Sequence, residues 1–279
     1  MWKAVETAPQ HTKENDMRQI KITFVALLLA IATALPTMAG NEPVKDPDTL
    51  TTEYRNTQYI DTIRNLNINV DYPTVANEKL KVSVLRYEAE TLANTAQMLS
   101  FSYDAKAKAY DGDSINFPAM LRFYTTLLTD RMNEADKANG TETPPSDTDL
   151  KILRSDDDIR YVTFSVSGYV YSGGAHGQSI NRGVTFDKTT GERAVLVNDS
   201  EALRKLILTK LPEEVGAFLD DSLPPMPANP AFLKDGQVML VYETGEIASN
   251  ATGAITVAFW PYEIEDYLTA EGKRLTEVR

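Results

Sequence analysis

Residues Tyr161–Tyr171 alternate strictly in hydropathy and then run into Ser172-Gly173-Gly174-Ala175-His176-Gly177. Period-two alternation sends successive side chains to opposite faces of a strand. Val162, Phe164, Val166, Gly168 and Val170 therefore share an apolar face, and Tyr161, Thr163, Ser165, Ser167, Tyr169 and Tyr171 share the other. Glycine at 173, 174 and 177 permits positive φ and lets another chain or a ligand come close without steric penalty. His176, the only histidine beyond residue 39, can bond or titrate among them. Tyr169, Tyr171, Ser172, Gly173, Gly174, His176 and Gly177 are accordingly the candidate ligand-binding residues, with Glu246 as a carboxylate that could serve His176. The competing reading of the same turn is structural, with His176 bonding backbone carbonyls and holding the loop.

The beginning of the chain reads as an export signal. Arg18 and Lys21 give a positive start, Ile22 to Ala34 form an apolar run, and Thr37 and Ala39 supply small residues for cleavage before Gly40. Residues 17–39 are thus expected to be a signal peptide, with Met17 as the start and residues 1–16 as a mis-assigned extension. The alternative is an uncleaved signal anchor, since residues 22–41 are free of charge for about the 20 residues a membrane span needs. The expected location is periplasmic or secreted, and membrane-anchored under that alternative.

The chain has no cysteine, which excludes disulfides, a lipid-bearing cleavage-site cysteine, thiol nucleophiles and cysteine metal sites. Residues 40–279 must then be held by their core, and 240 residues suffice for one large or two small domains. They carry 24 basic and 37 acidic groups, a formal −13 that would repel nucleic acid and an anionic membrane and attract a cationic protein. The same acidity also serves solubility.

Residues 40–58 are polar, with Pro43 and Pro47, and suit a flexible tether. Leu66, Ile68 and Val70 alternate with Asn65, Asn67, Asn69 and Asp71, which predicts a strand ending at Tyr72-Pro73. Leu80, Val84, Leu85, Leu92, Ala96 and Leu99 recur at helical spacing, although 81–87 also reads as strand. Asn116 caps, and Met120, Leu121, Tyr124, Leu127, Leu128 and Met132 stripe, a second helix that ends near Gly140. The loop 141–146 is the expected boundary between a companion domain (59–145) and a C-terminal domain (146–279).

The C-terminal half is predicted to hold three hairpins, turning at 155–158, 187–191 and 234–237. Asn198 and Glu201 are spaced to cap a helix, and four prolines stiffen 223–230. An interior strand at 238–242, a last strand at 255–259 and a closing helix at 262–268 complete the pattern. The fold class is α+β, with antiparallel sheets, a few packed helices and two closely associated α+β subdomains.

No catalytic set emerges. A serine hydrolase would need His176 as its base and lacks a G-x-S-x-G elbow. One histidine without H-E-x-x-H or cysteines does not make the usual zinc set, and the acidic clusters 111–113 and 156–158 do not match a calcium loop. Glu243 and Glu246 could form a carboxylate pair, but spacing along the chain supplies no distance across a sugar cleft. There is no phosphate-binding loop. No metal, cofactor or nucleic acid is expected.

Tyr171-Ser172-Gly173-Gly174-Ala175-His176-Gly177, the hairpin 185–191, the block 235–242, Glu246-Ile247-Ala248 and the block 252–257 together resemble the RsiV-like extracytoplasmic domain. That domain is also similar to the region preceding the catalytic domain of the peptidoglycan deacetylase PdaC. The resemblance spans about 161–268, and the preceding half is similar to the smaller α+β domain that accompanies it. It implies a two-part α+β fold outside the membrane. Its anti-sigma members sense lysozyme; with 16 to 21 residues before the apolar run, neither a sigma-binding region nor a deacetylase domain is expected here. The expectation is an exported, non-catalytic binding or sensor-like protein of the cell envelope. Its expected partner is a peptidoglycan fragment or a cationic wall-degrading enzyme. The alternatives are an envelope hydrolase or transferase using His176 with Glu246, or a structural assembly subunit.

Overall fold

The alternating segments at 65–71 and 161–171 become two strands of a five-stranded sheet. The computed structural model describes residues 50–60, 64–99, 109–113, 115–139, 146–173, 176–219 and 222–277. Strands β1 (Thr51–Ile60), β2 (Arg64–Val75), β3 (Ser146–Asp157), β4 (Tyr161–Tyr171) and β5 (Gln178–Asp187) lie side by side in chain order. All neighbours are antiparallel except β2 and β3, which run parallel with Leu66 opposite Thr148 and Ile68 opposite Leu150. A parallel pair needs a long crossover. Helices α1 (Glu78–Met98) and α2 (Phe117–Asn139) supply it.

Side-chain amides start both helices, at Asn116 as expected and also at Asn77. The Asn77 amide oxygen accepts from the Leu80 N–H at 2.8 Å, and that of Asn116 accepts from the Ala119 N–H at 3.2 Å. Their apolar stripes cover one face of the sheet. Leu66, Ile68, Val70, Leu150, Ile152, Phe164 and Val166 meet Val84, Leu85, Leu92, Met120, Leu128 and Met132 in one buried cluster. Tyr72 stacks on Phe117 with ring centroids 4.1 Å apart.

A second cluster holds the rest of the chain together. Strands β6 (Phe232–Lys234), β7 (Gln237–Tyr242) and β8 (Ile255–Phe259) form an antiparallel sheet with β7 central, as the apolar run at 238–241 requires. Helices α3 (Glu201–Lys210), α4 (Glu213–Phe218) and α5 (Ala270–Leu275) accompany it. Leu203, Ile207, Leu240, Tyr242, Val257, Phe259, Ile264 and Leu275 are its core.

This small sheet docks on the face of the large sheet that the helices leave bare. Phe232 lies against Gly183, where a β-carbon would come within 2.6 Å of the ring. Buried Thr185 accepts from the Leu233 N–H at 2.8 Å and shares a 2.8 Å bond with Thr163 directly across β4. Asp156 accepts from the Asp235 N–H at 3.0 Å.

The structure departs from the expectations at several points. Residues 51–58, expected as tether, belong to β1. Its Thr, Tyr and Ile side chains favour a strand, but it is polar on both faces and so leaves no hydropathy signal; residues 40–49 lie outside the described residues, as does the leader. β2 continues through Pro73 to Val75, because Pro73 sits beside an irregularity at Thr51/Thr52 where a missing N–H is tolerated. Residues 141–145 also lie outside the described residues; on either side of them β2 and β3 pair within one sheet, and the two apolar clusters part near Asp187. β3 extends to Asp157, moving the turn to 158–160. Ser200, not Asn198, caps α3, accepting from the Leu203 N–H at 3.1 Å. The closing helix is two 3₁₀ turns, Pro261–Glu263 and Glu265–Tyr267, followed by α5.

One core residue conflicts with its surroundings. Glu88 of α1 is wholly buried, and neither carboxyl oxygen has a hydrogen-bond partner among the described residues. Burial pushes its carboxyl well above the ordinary value of 4.5, and the charge of Asp71 adds to the shift. The folded state therefore keeps a proton that the unfolded chain gives up, and stability falls as pH rises above the ordinary value toward the folded one. Glu88→Gln, neutral at every pH, should gain on the wild type between pH 5 and pH 8 by up to about 1.4 kcal/mol per pH unit. Urea unfolding of both proteins at the two pH values measures it; parallel pH profiles would contradict it.

Candidate functional site

β4 and β5 pair down to Val170 opposite Gln178, so residues 172–177 are the hairpin connection at the end of the sheet away from the docked β6. Gly173 has φ +87°, a conformation that favours glycine. Gly174 and Ala175 lie outside the described residues. His176 is exposed and makes no hydrogen bond to another described residue. The ring of exposed Tyr169 lies over Gly177, where a β-carbon would stand, so a larger residue there would require that ring to swing aside. Tyr171 and Ser172 are half-buried at the same tip.

Glu246 belongs to the other sheet. It follows β7, and its Oε1 accepts from the Ala228 N–H at 2.7 Å while Oε2 accepts from the Glu243 N–H at 2.8 Å. It thereby ties the proline-rich connector to the end of β7. Neighbouring Glu243 accepts from the Asn229 amide at 3.0 Å and pairs with Arg182 at 3.7 Å. Arg182 stands four residues along β5 from Gln178, about 13 Å at the strand rise. No hydrogen bond joins Glu246 to His176.

The structure adds to the tyrosines a set of residues that the sequence reading passed over. Register places Tyr54, Asn56 and Gln58 of β1, Asn65, Asn67, Asn69 and Asp71 of β2, and Asp147, Asp149 and Lys151 of β3 on the face opposite the helices. Asp149 is directly across from Tyr169, and Asp147 from Tyr171. β6 covers the Thr163–Thr185 end of this face; on the remainder Tyr54, Asn56, Gln58, Asn65, Lys151 and Tyr169 are exposed, Asn67, Asp71, Asp147 and Asp149 are half-buried, and Asn69 is buried.

Its polar groups are cross-linked from strand to strand. The Asn56 amide donates to both Asn67 and Asn69 at 2.8 Å, Asn67 donates to Asp149 at 2.7 Å, and Asn65 donates to Asp147 at 2.9 Å. The Tyr54 hydroxyl bonds Asn69, and Lys151 pairs with Asp149 at 3.5 Å. Side-chain amides and carboxylates offer donors and acceptors together, and mutual bonding fixes their orientation before any ligand arrives. The available sign was the alternation Asn65, Asn67, Asn69, Asp71, matched by Asp147, Asp149, Lys151.

A separate shallow groove of about 400 Å³ runs between α1 and the residues after β5, lined by Ser83, Arg86, Glu90, Glu192 and Arg193. Arg193 is paired there with Glu90 at 2.5 Å and lies over the Tyr87 ring, whose hydroxyl burial pushes up to about 12. Among the described residues no group of three or more His, Cys, Asp or Glu side chains is placed to hold a metal ion, and no helix is long and apolar enough to cross a membrane.

Removing the Glu246 carboxylate should cost more than removing the imidazole. Glu246→Ala is expected to lower stability by about 1.5–3 kcal/mol, because two backbone N–H groups lose a charged acceptor. His176→Ala, on an exposed and unbonded side chain, should stay within about 0.5 kcal/mol. Thermal and urea unfolding of the two variants compare them directly.

No protein-family model and no curated protein sequence matches the chain. Solved structures do. A DUF3298-family protein from Bacteroides fragilis NCTC 9343 is 18% identical with a TM-score of 0.59, over 81% of this chain and 96% of that one. A DUF3298-family protein from Pseudomonas aeruginosa PAO1 is 13% identical with a TM-score of 0.51, over 81% and 97%. At these identities the likeness speaks to architecture, and the α+β fold of this chain is similar to that of DUF3298 proteins, an uncharacterised domain family.

Proposed function

We propose that this protein is a non-catalytic binding domain of the bacterial cell envelope that holds a peptidoglycan fragment on the open face of its five-stranded sheet. The observation that carries the reading is the cross-linked row from Asn56 through Asn67 to Asp149, with Tyr54 on one side and Tyr169 on the other. Sugar hydroxyls donate and accept at once, and planar amides and carboxylates meet both needs from fixed positions. The apolar face of a sugar ring packs on tyrosine. Because the polar groups already restrain one another, little side-chain freedom is lost on binding.

Export is part of the same proposal and rests on the leader at 17–39, with the uncleaved anchor as its variant. The RsiV-like motif blocks support an envelope setting, and the likeness to DUF3298 proteins supports the α+β architecture. The formal charge of −12 favours a second reading, in which the partner is a cationic wall-degrading enzyme.

Titration with a disaccharide-peptide from peptidoglycan, followed by amide NMR shifts, tests the first reading. Saturable shifts should map to β2, β3 and β4, and Asn67→Ala or Tyr169→Ala should weaken binding at least about tenfold, the loss expected when a buried polar or stacking contact goes. No saturation at millimolar ligand would end it. Salt-sensitive binding of lysozyme that Asn67→Ala leaves unchanged would support the second reading instead.

A further inference from the structure

β1 is the outer strand of the large sheet, and among the described residues nothing pairs with its free edge. Natural edge strands are protected by being short, by proline, by bulges or by lone charges. β1 has ten residues and no proline, and its one irregularity is confined to Thr51/Thr52. Its charges are Glu53 and Arg55, 3.0 Å apart, which neutralise one another. Tyr54 is 58% and Ile60 68% exposed.

We propose that the free edge of β1 pairs antiparallel with β1 of a second copy, about a two-fold axis perpendicular to the sheet at Tyr54. The register follows from charge. With the open faces on the same side, residues of like parity must be opposite, so the axis passes through a residue. An axis at Glu53 opposes two glutamates, and one at Arg55 opposes two arginines; like charges directly across strands repel. An axis at Tyr54 places Glu53 of each copy opposite Arg55 of the other, forming two ion pairs, and sets Tyr54 against its twin. The result is one ten-stranded sheet whose two polar faces are contiguous. The proposal is independent of what that face binds.

The absence of native cysteine makes a direct test available. Residues on the axis of an antiparallel pair have Cα atoms about 4.5–5.5 Å apart, within reach of a disulfide. Tyr54→Cys should cross-link rapidly into a covalent dimer under mild oxidation at micromolar protein, and Gln58→Cys, far from its own twin, should not. Sedimentation velocity of the wild-type protein should show a monomer–dimer equilibrium. Arg55→Glu should weaken it at least tenfold, and the exchange Glu53→Arg with Arg55→Glu should restore it, with circular dichroism confirming that each variant is folded. A wild-type protein that stays monomeric at 200 μM, equal cross-linking at 54 and 58, or a charge exchange no better than Arg55→Glu alone would each overturn the proposal.

Discussion

The parallel pairing of β2 with β3 is the constraint on which the rest of the structure depends. A hairpin cannot make that join, so the chain must leave the sheet after Val75 and return at Ser146. α1 and α2 fill the interval and bury their stripes against a single face. The opposite face is left for two other uses. β6 and its small sheet take one end, through Phe232 on Gly183 and the Leu233 N–H on Thr185, and the asparagine and aspartate row occupies the remainder.

Docking of the small sheet is polar as well as apolar. Thr185 and Thr163 are buried where their positions on the alternating strands would otherwise be solvent-facing, and each hydroxyl is satisfied by the other or by β6. Asp187 is wholly buried at the end of β5, where it accepts from the Thr189 N–H at 2.8 Å and pairs with Arg274 of α5. Lys188 is held by Asp157 at 2.5 Å and by the Asp158 carbonyl at 2.6 Å. Breaking any one of these would strand a buried polar group, which costs more than the bond itself contributes.

Much of this was legible in the residues. Strict alternation at 161–171 and 65–71 placed β4 and β2, Asn116 marked the start of α2, and the apolar run at 238–241 marked β7 as central. What could not be read was adjacency. Asn67 meets Asp149 only because β2 and β3 are neighbours across 82 residues of chain, and no local pattern encodes that distance. β1 escaped notice because a strand polar on both faces resembles a linker. Glu246 does not join the hairpin tip, and spacing could not reveal where it goes; its two backbone N–H partners depend on how the proline-rich connector folds back.

The same long interval shapes how the molecule comes into being. A polypeptide that emerges from its N-terminus presents the β1–β2 hairpin first, and the inner edge of β2 then waits for about seventy residues before its mate is delivered. Closing so wide a loop is entropically slow. During that delay the amphipathic segments that become α1 and α2 have no complete sheet to rest on, and their apolar stripes stay uncovered until Ser146 and its successors arrive.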